Sequence, residues 1–141
     1  MYISYGEYLS LGGVELDDTT FGEYEFQAET VINYVTFDRL LNEEVIPMPV
    51  KRVITMIIKR LKRKDDSLNM GASTTGVTSG VAYDIKSQSN DGVSVTYQSM
   101  PAELLCELCD KDIQYLVKKY LSSCRTADGR SLLYRGLYPG E

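Results

Sequence analysis

Residues 48–64 read MPVKRVITMIIKRLKRK, and this stretch decides the fold. Its apolar residues recur three and four positions apart, which is the spacing of one face of an α-helix. They are Val50, Val53, Ile54, Ile57, Ile58 and Leu61. Seven Lys and Arg residues and no acidic residue occupy the same stretch. The pattern predicts a strongly amphipathic helix over about 49–64, with an apolar stripe surrounded by basic residues.

Two capping-box spacings before this stretch predict two further helices. In each, a hydroxyl residue is followed three positions later by a glutamate, so that the two side chains satisfy free backbone N–H groups. The first box begins at Ser4 and opens a helix of about two turns, which a Gly-Gly pair ends. The second begins at Thr20 and opens a helix predicted over about 20–41, with apolar residues at helical intervals.

The chain changes character after the basic stretch. Residues 67–80 are rich in Ser, Thr and Gly and carry no charge, so burial cannot offset their ordering entropy. A flexible loop is therefore predicted over about 66–80. Apolar residues then alternate over 81–97 on both sides of a turn signal, which predicts a β-hairpin. The turn residues are Asn90, Asp91 and Gly92.

The last third of the chain combines a helix with an apolar tail. Pro101 stands where a helix begins, and apolar residues at helical spacing extend the predicted helix over 101–121. The C-terminal arm, about 126–141, contains an apolar and aromatic group too small to form its own core. A partner surface is therefore expected for it, although folding back over the bundle is the alternative. The group comprises Leu132, Leu133, Tyr134, Leu137 and Tyr138.

These elements predict a mainly α protein with one domain spanning 1–141. We expect a small helical bundle of three to four helices, with a β-hairpin and an extended C-terminal arm. A chain of 141 residues that is 43% hydrophobic can bury one ordinary core. Its longest apolar run, 53–58, is far shorter than the roughly 20 residues of a membrane-spanning helix. The N-terminus lacks the features of a secretory signal, so a cytosolic protein without membrane contact is expected.

The composition argues against an enzyme. Histidine is absent, which removes the usual proton shuttle, the Ser-His and Cys-His pairs and the commonest transition-metal ligand. Cys106 and Cys109 have a metal-like spacing, but Cys124 is the only further cysteine and a structural zinc site needs four ligands. The glycines match no phosphate-binding motif. We therefore expect no catalytic residues, no metal and no cofactor.

Charge is distributed unevenly along a chain whose net charge is -5. Residues 1–47 carry ten acids and one base, whereas 48–64 carry seven bases and no acid. The basic helix can be a solvated face, can contact DNA phosphates, or can bind the acidic segment of a neighbouring copy. An inter-subunit role is predicted on this last interpretation. The residues concerned are Glu23, Glu25, Glu29, Lys51, Arg52, Lys59, Arg60 and Arg63.

Four short motifs follow one another in a specific order. They are YVTFDR at 34–39, SNDGVSV at 89–95, YLS at 120–122 and LLYRG at 132–136. With the Tyr-rich opening helix and the amphipathic helix, this order resembles the head-to-tail connector proteins of tailed bacteriophages, also called adaptor or head-completion proteins. The resemblance covers nearly the whole chain. A link at 122–130, longer than the family's, departs from it.

The resemblance implies a structural virion protein rather than an enzyme. Such a protein assembles in the host bacterial cytoplasm as a ring, typically twelve-fold, beneath the portal of the packaged capsid. There it joins the capsid to the neck or tail and binds the next neck or tail-completion protein. It also extends the DNA channel, through which genomic double-stranded DNA passes during ejection without sequence-specific binding. The portal is the implied acceptor of the arm residues Leu132, Leu133, Tyr134, Arg135, Gly136, Leu137 and Tyr138. The alternative function is a DNA-binding regulatory protein that uses the basic helix 51–64.

Overall fold

The computed structural model describes residues 1–72 and 101–133, together with four residue pairs between them. Within these residues the protein is mainly α-helical, which confirms the predicted class. The helices are α1 (Tyr5–Ser10), α2 (Asp18–Thr36), α3 (Met48–Ala72) and α4 (Ala102–Leu121), with a 3₁₀ helix (Arg39–Asn42) between α2 and α3. No described helix has the length and apolar character that a membrane span requires.

Helix α1 has the capping box that its sequence predicts. The Ser4 hydroxyl accepts a hydrogen bond from the Glu7 N–H, and the Glu7 carboxylate accepts one from the Ser4 N–H. The helix ends at a glycine pair for two different reasons. Gly12 has a φ of 81°, which few other residues adopt at low cost. A Cβ on Gly13 would lie 2.5 Å from the ring of Tyr8, so a larger residue would displace this buried side chain.

Helix α2 differs at both ends from the predicted 20–41. It begins two residues earlier because Asp17, not Thr20, is the N-cap, and the Asp17 carboxylate accepts a 2.9 Å hydrogen bond from the Thr20 N–H. It ends at Thr36, because Phe37 and Asp38 have left-handed φ values of 54° and 58°. Two consecutive non-glycine residues in this region are unusual, and they turn the chain into the 3₁₀ helix.

Helix α3 continues past the predicted end at 64, so the predicted loop of 66–80 is wrong over residues 66–72. Local hydrogen bonds support these extra turns. The Lys62 ammonium pairs with Asp66 at 2.8 Å, and the Ser67 hydroxyl donates to the Arg63 carbonyl at 2.8 Å. Asp65 also accepts a 2.8 Å hydrogen bond from the Tyr24 hydroxyl of α2. The rest of the predicted loop, 73–80, lies outside the described residues.

The core forms where α2 and α4 pack against α3. All six residues of the predicted α3 stripe are buried, and α4 spans the predicted helix almost to the residue. The N-terminal segment adds Tyr2 and Ile3 to this core. Other members of the core are Tyr8, Phe21, Tyr24, Ala28, Ile32, Leu40, Ile113, Val117, Leu121 and Leu132. The bundle is thus organised around α3, whose outer side faces away from both α2 and α4.

Four two-residue strands pair antiparallel between α3 and α4. The strands are β1 (Asp84–Ile85), β2 (Ser89–Asn90), β3 (Val93–Ser94) and β4 (Tyr97–Gln98). β1 pairs with β4 and β2 with β3. These short pairings do not establish a hairpin over 81–97, because the residues that join them lie outside the described part of the chain. Asn90 is in β2, whereas Asp91 and Gly92 are among those residues.

Candidate interaction surfaces

The outer side of α3 carries a line of three basic side chains. Arg52, Lys59 and Arg63 are separated by seven and four residues, so they lie along one side of the helix, opposite the buried stripe. Arg52 and Arg63 are exposed and Lys59 is half-buried. None of the three forms an ion pair with any described residue. We name these three residues the basic stripe.

The other basic residues of α3 have partners within the chain. Lys51 contacts Glu7 of α1 at 2.6 Å, and this contact, together with the hydrogen bond from the Ser4 N–H, lowers the pKa of the Glu7 carboxyl to about 2. Arg60 pairs with Asp112 of α4. The remaining pairs are Lys62–Asp66 at 2.8 Å and Lys64–Asp65 at 3.9 Å. The inter-subunit role of Lys51 and Arg60 stays a prediction, although each already pairs with an acid of its own chain.

The acidic residues predicted to face a neighbouring copy also differ in whether they have a partner within the chain. Glu25 is buried and accepts a 2.7 Å hydrogen bond from the Tyr2 N–H of its own chain, and its inter-subunit role stays a prediction. Glu29 pairs with the N-terminal ammonium of Met1 at 2.9 Å. Of the three predicted acids, Glu23 alone is exposed and forms no such contact with a described residue. Two of the three acids thus anchor the N-terminal segment along α2.

Exposed aromatic side chains on α2 were not predicted as a site. Phe26 is 69% exposed and Tyr34 is 81% exposed, although aromatic residues of this size are usually covered in a folded protein. Tyr34 lies at the edge of a groove of about 980 Å³ between α2 and α4, which we name the α2–α4 groove. Its apolar lining comprises Val31, Val35, Phe37, Ile113, Val117 and Leu133, and its polar lining comprises Thr30, Asn33, Asp38, Asp110, Gln114 and Lys118.

The strained turn after α2 connects this groove to the chain beyond α4. Arg39 lies over the ring of Phe37, 5.5 Å from its centroid, and donates a 3.4 Å hydrogen bond to the Ser131 carbonyl. Ser131 is 92 residues away in sequence, so this contact joins two segments that are remote along the chain. In the sequence, the aromatic residues on the exposed side of α2 were the only signal for the α2–α4 groove. The groove itself could not be predicted, because it depends on how α2 and α4 are placed relative to each other.

The predicted docking arm begins inside the core. Leu132 is fully buried, and its N–H donates a 3.0 Å hydrogen bond to the Cys124 carbonyl. In the single chain the Leu132 side chain belongs to the core, and its predicted docking role stays a prediction. Leu133 is half-buried and lines the α2–α4 groove. The roles of the other arm residues, 134–138, stay predictions because these residues lie outside the described part of the chain.

The three cysteines are free thiols of intermediate burial. Burial raises the pKa of Cys109 and of Cys124, which disfavours the thiolate form that nucleophiles and metal ligands need. Among the described residues, no three side chains of the metal-binding types come together.

The described residues therefore form two surfaces that could bind a partner. The basic stripe on the outer side of α3 would bind through charge, and the α2–α4 groove would bind through its apolar lining. No residue of α3 lines the groove, so the two surfaces lie on different sides of the molecule. No family model, curated protein or solved structure matches this chain.

Proposed function

We propose that this protein is a structural component of a tailed-bacteriophage virion and forms a homo-oligomeric ring between portal and neck. The family that it resembles implies twelve-fold symmetry for this ring. The observation that carries the proposal is the basic stripe, three cations along one side of α3 with no ion pair among the described residues. Cations in such a line favour an acidic or aromatic partner outside the chain. The exposed side of α2 has this chemistry.

A ring needs two different surfaces that fit each other on successive copies. The basic stripe extends over twelve residues of α3, 52–63, and the exposed side of α2 from Glu23 to Tyr34 also extends over twelve. Each is about 16 Å long at the helical rise. Glu23 supplies a charge, and Phe26 and Tyr34 supply ring faces on which Arg and Lys side chains pack favourably. Because the two sides face away from each other, the contact is head-to-tail.

The remaining parts of the chain take the roles that the resemblance implies. Residues 134–138 of the arm dock on the portal, and the hairpin over 81–97 contacts either the channel or the next neck protein. The Ser/Thr/Gly-rich residues 73–80 carry no charge, which suits a channel through which DNA must slide without being held. The ring assembles in the bacterial cytoplasm and becomes part of the virion neck.

Charge reversal of the basic stripe tests the ring. The variant Arg52→Glu, Lys59→Glu, Arg63→Glu should fold normally but fail to assemble, because its stripe would repel Glu23 of the next copy. The matched control is Lys62→Glu, Lys64→Glu, Lys111→Glu, which changes the net charge equally at residues that pair within the chain. Light scattering and electron microscopy of each protein, alone and with the portal, measure assembly. Equal assembly of both variants would contradict the proposed contact.

The second candidate function is DNA binding by the same stripe, which the exposure of Arg52 and Arg63 also favours. Three cations on one helix side can neutralise phosphates, although the chain as a whole is acidic. A gel-shift at physiological salt separates the two functions. A connector should bind free duplex weakly, whereas a regulator should bind it specifically and lose binding in the triple reversal.

A further inference from the structure

The α2–α4 groove lies where the described part of the chain ends. Leu133, the last described residue, lines the groove, and eight residues follow it with the sequence YRGLYPGE. We propose that these residues, 134–141, bind in the α2–α4 groove of their own chain. The groove is then an intramolecular receptor for the C-terminal segment in the free protein, and portal binding by residues 134–138 would have to release it, so the proposal does not depend on ring formation.

The path of the chain directs this segment towards the groove. Cys124 and Arg125 follow α4, and the chain turns back through an isolated bridge between Arg125 and Ser131. Leu132 is then fixed by its burial and by its hydrogen bond to Cys124. Arg39 holds the Ser131 carbonyl from the α2 side. The segment therefore starts at a fixed point on the edge of the groove.

The length of the segment suits the groove. Eight extended residues reach at most about 26 Å. The α2 side of the groove, from Thr30 to Phe37, is about 10 Å long at the helical rise. The segment can thus follow the groove along its full length. Because its first residue is joined to Leu133, its effective concentration at the groove exceeds that of any free partner, including the same segment of a second copy.

The chemistry of the two parts is complementary. The groove has an apolar floor that includes Val31 and Val35, and the segment supplies the apolar Leu137 and two tyrosines. Tyrosine side chains bury apolar area and keep a hydroxyl for polar neighbours, of which the groove has several. The segment also contains Arg135, whereas Asp38 and Asp110 of the groove form no ion pair with any described residue. A basic, aromatic segment is thus the kind of ligand that this groove fits.

Trypsin cleavage after Arg135 reports on this docking in the full-length protein. A docked segment is protected, and the cleavage rate follows the fraction of molecules in which it is released. Tyr34→Asp on the groove and Leu137→Asp in the segment should each accelerate release of residues 136–141 at least about tenfold, a change that corresponds to about 1.4 kcal/mol. The matched control is Phe26→Asp, an exposed aromatic residue on the same helix outside the groove, which should leave the rate unchanged.

Further measurements control for misfolding of the variants and for the sequence preference of trypsin. Tyr34 is mostly exposed, so its variant should fold, and circular dichroism checks this. Free 134–141 peptides with and without the Leu137 change correct for the preference of trypsin itself. Equal cleavage of the wild type, Tyr34→Asp and Phe26→Asp would overturn the proposal. Protection that grows with protein concentration would also overturn it, since the occupant would then be the segment of a second copy. None of these results requires the portal, so they are independent of the proposed connector function.

Discussion

The two sides of helix α3 differ in how much of their structure can be predicted from the sequence. On the inner side, every residue of the apolar stripe is buried in the core that α3 forms with α2 and α4. Around the rest of the helix, seven basic residues have the same charge but different surroundings. Four of them form ion pairs within the chain, whereas the three residues of the basic stripe form none with described residues. Burial is decided by apolar spacing along one helix, whereas pairing depends on which acids other helices bring near.

The strongest test of this contrast is a truncation on each side of α3. Ile57→Ala should lower the free energy of unfolding by about 2–4 kcal/mol, because it removes a fully buried side chain and leaves a cavity. Lys59→Ala, two residues away on the outer side, should change it by less than about 0.5 kcal/mol. Urea unfolding followed by circular dichroism measures both. A small loss for Ile57→Ala would mean that the apolar stripe is not the core.

The same contrast extends to the start of the C-terminal arm, where Leu132 is buried and Leu133 borders the groove. Leu132→Ala should lower the unfolding free energy by about 2–3 kcal/mol, because its side chain belongs to the core. Leu133→Ala should cost less, since it is half-buried. Thermal unfolding of the two variants compares them. If Leu132→Ala had no effect on stability but prevented portal binding, the whole arm would be a docking element.

Two arginines on α3 distinguish paired from unpaired basic residues. Arg60→Glu would replace the ion pair with Asp112 by a repulsion and should destabilise the fold by about 0.5–1 kcal/mol. Arg63→Glu should leave stability within about 0.5 kcal/mol, because no described acid contacts it. Chemical unfolding at low and high salt provides the measurement. The difference between the variants should shrink at high salt, and its absence at low salt would argue against the Arg60 pairing.

The last expected effect appears only at alkaline pH, at the contact between α2 and the end of α3. Burial, followed by the hydrogen bond to Asp65, raises the pKa of the Tyr24 hydroxyl to about 12. Folding thus favours the protonated tyrosine, so this stabilisation is complete below pH 10 and is lost as the pH rises from about 10 towards 12. Tyr24→Phe should flatten this part of the stability profile. Identical profiles between pH 10 and 12 would exclude Tyr24 as the titrating group.

Helix ends were harder to predict than helix faces. The apolar pattern of α2 continues to Leu41, but the left-handed backbone at Phe37 and Asp38 ends the helix five residues earlier. The basic stretch of α3 stops at 64, but the helix continues to Ala72 with support from contacts such as Tyr24–Asp65. Both ends depend on residues remote in sequence, since Arg39 and Tyr24 connect them to other parts of the bundle. Local spacing does not contain that information.

The amino-acid sequence by itself determined the mainly helical class, the apolar stripe of α3, the capping box of α1 and the position of α4. Each follows from residues less than about two turns apart, and such local patterns act before any packing. Only the tertiary structure decided which charges remain available, that Glu25 and Leu132 are buried, and that a groove lies beside Tyr34. These features depend on side chains from separate helices, because an ion pair, a core or a groove exists only when packing brings its parts together.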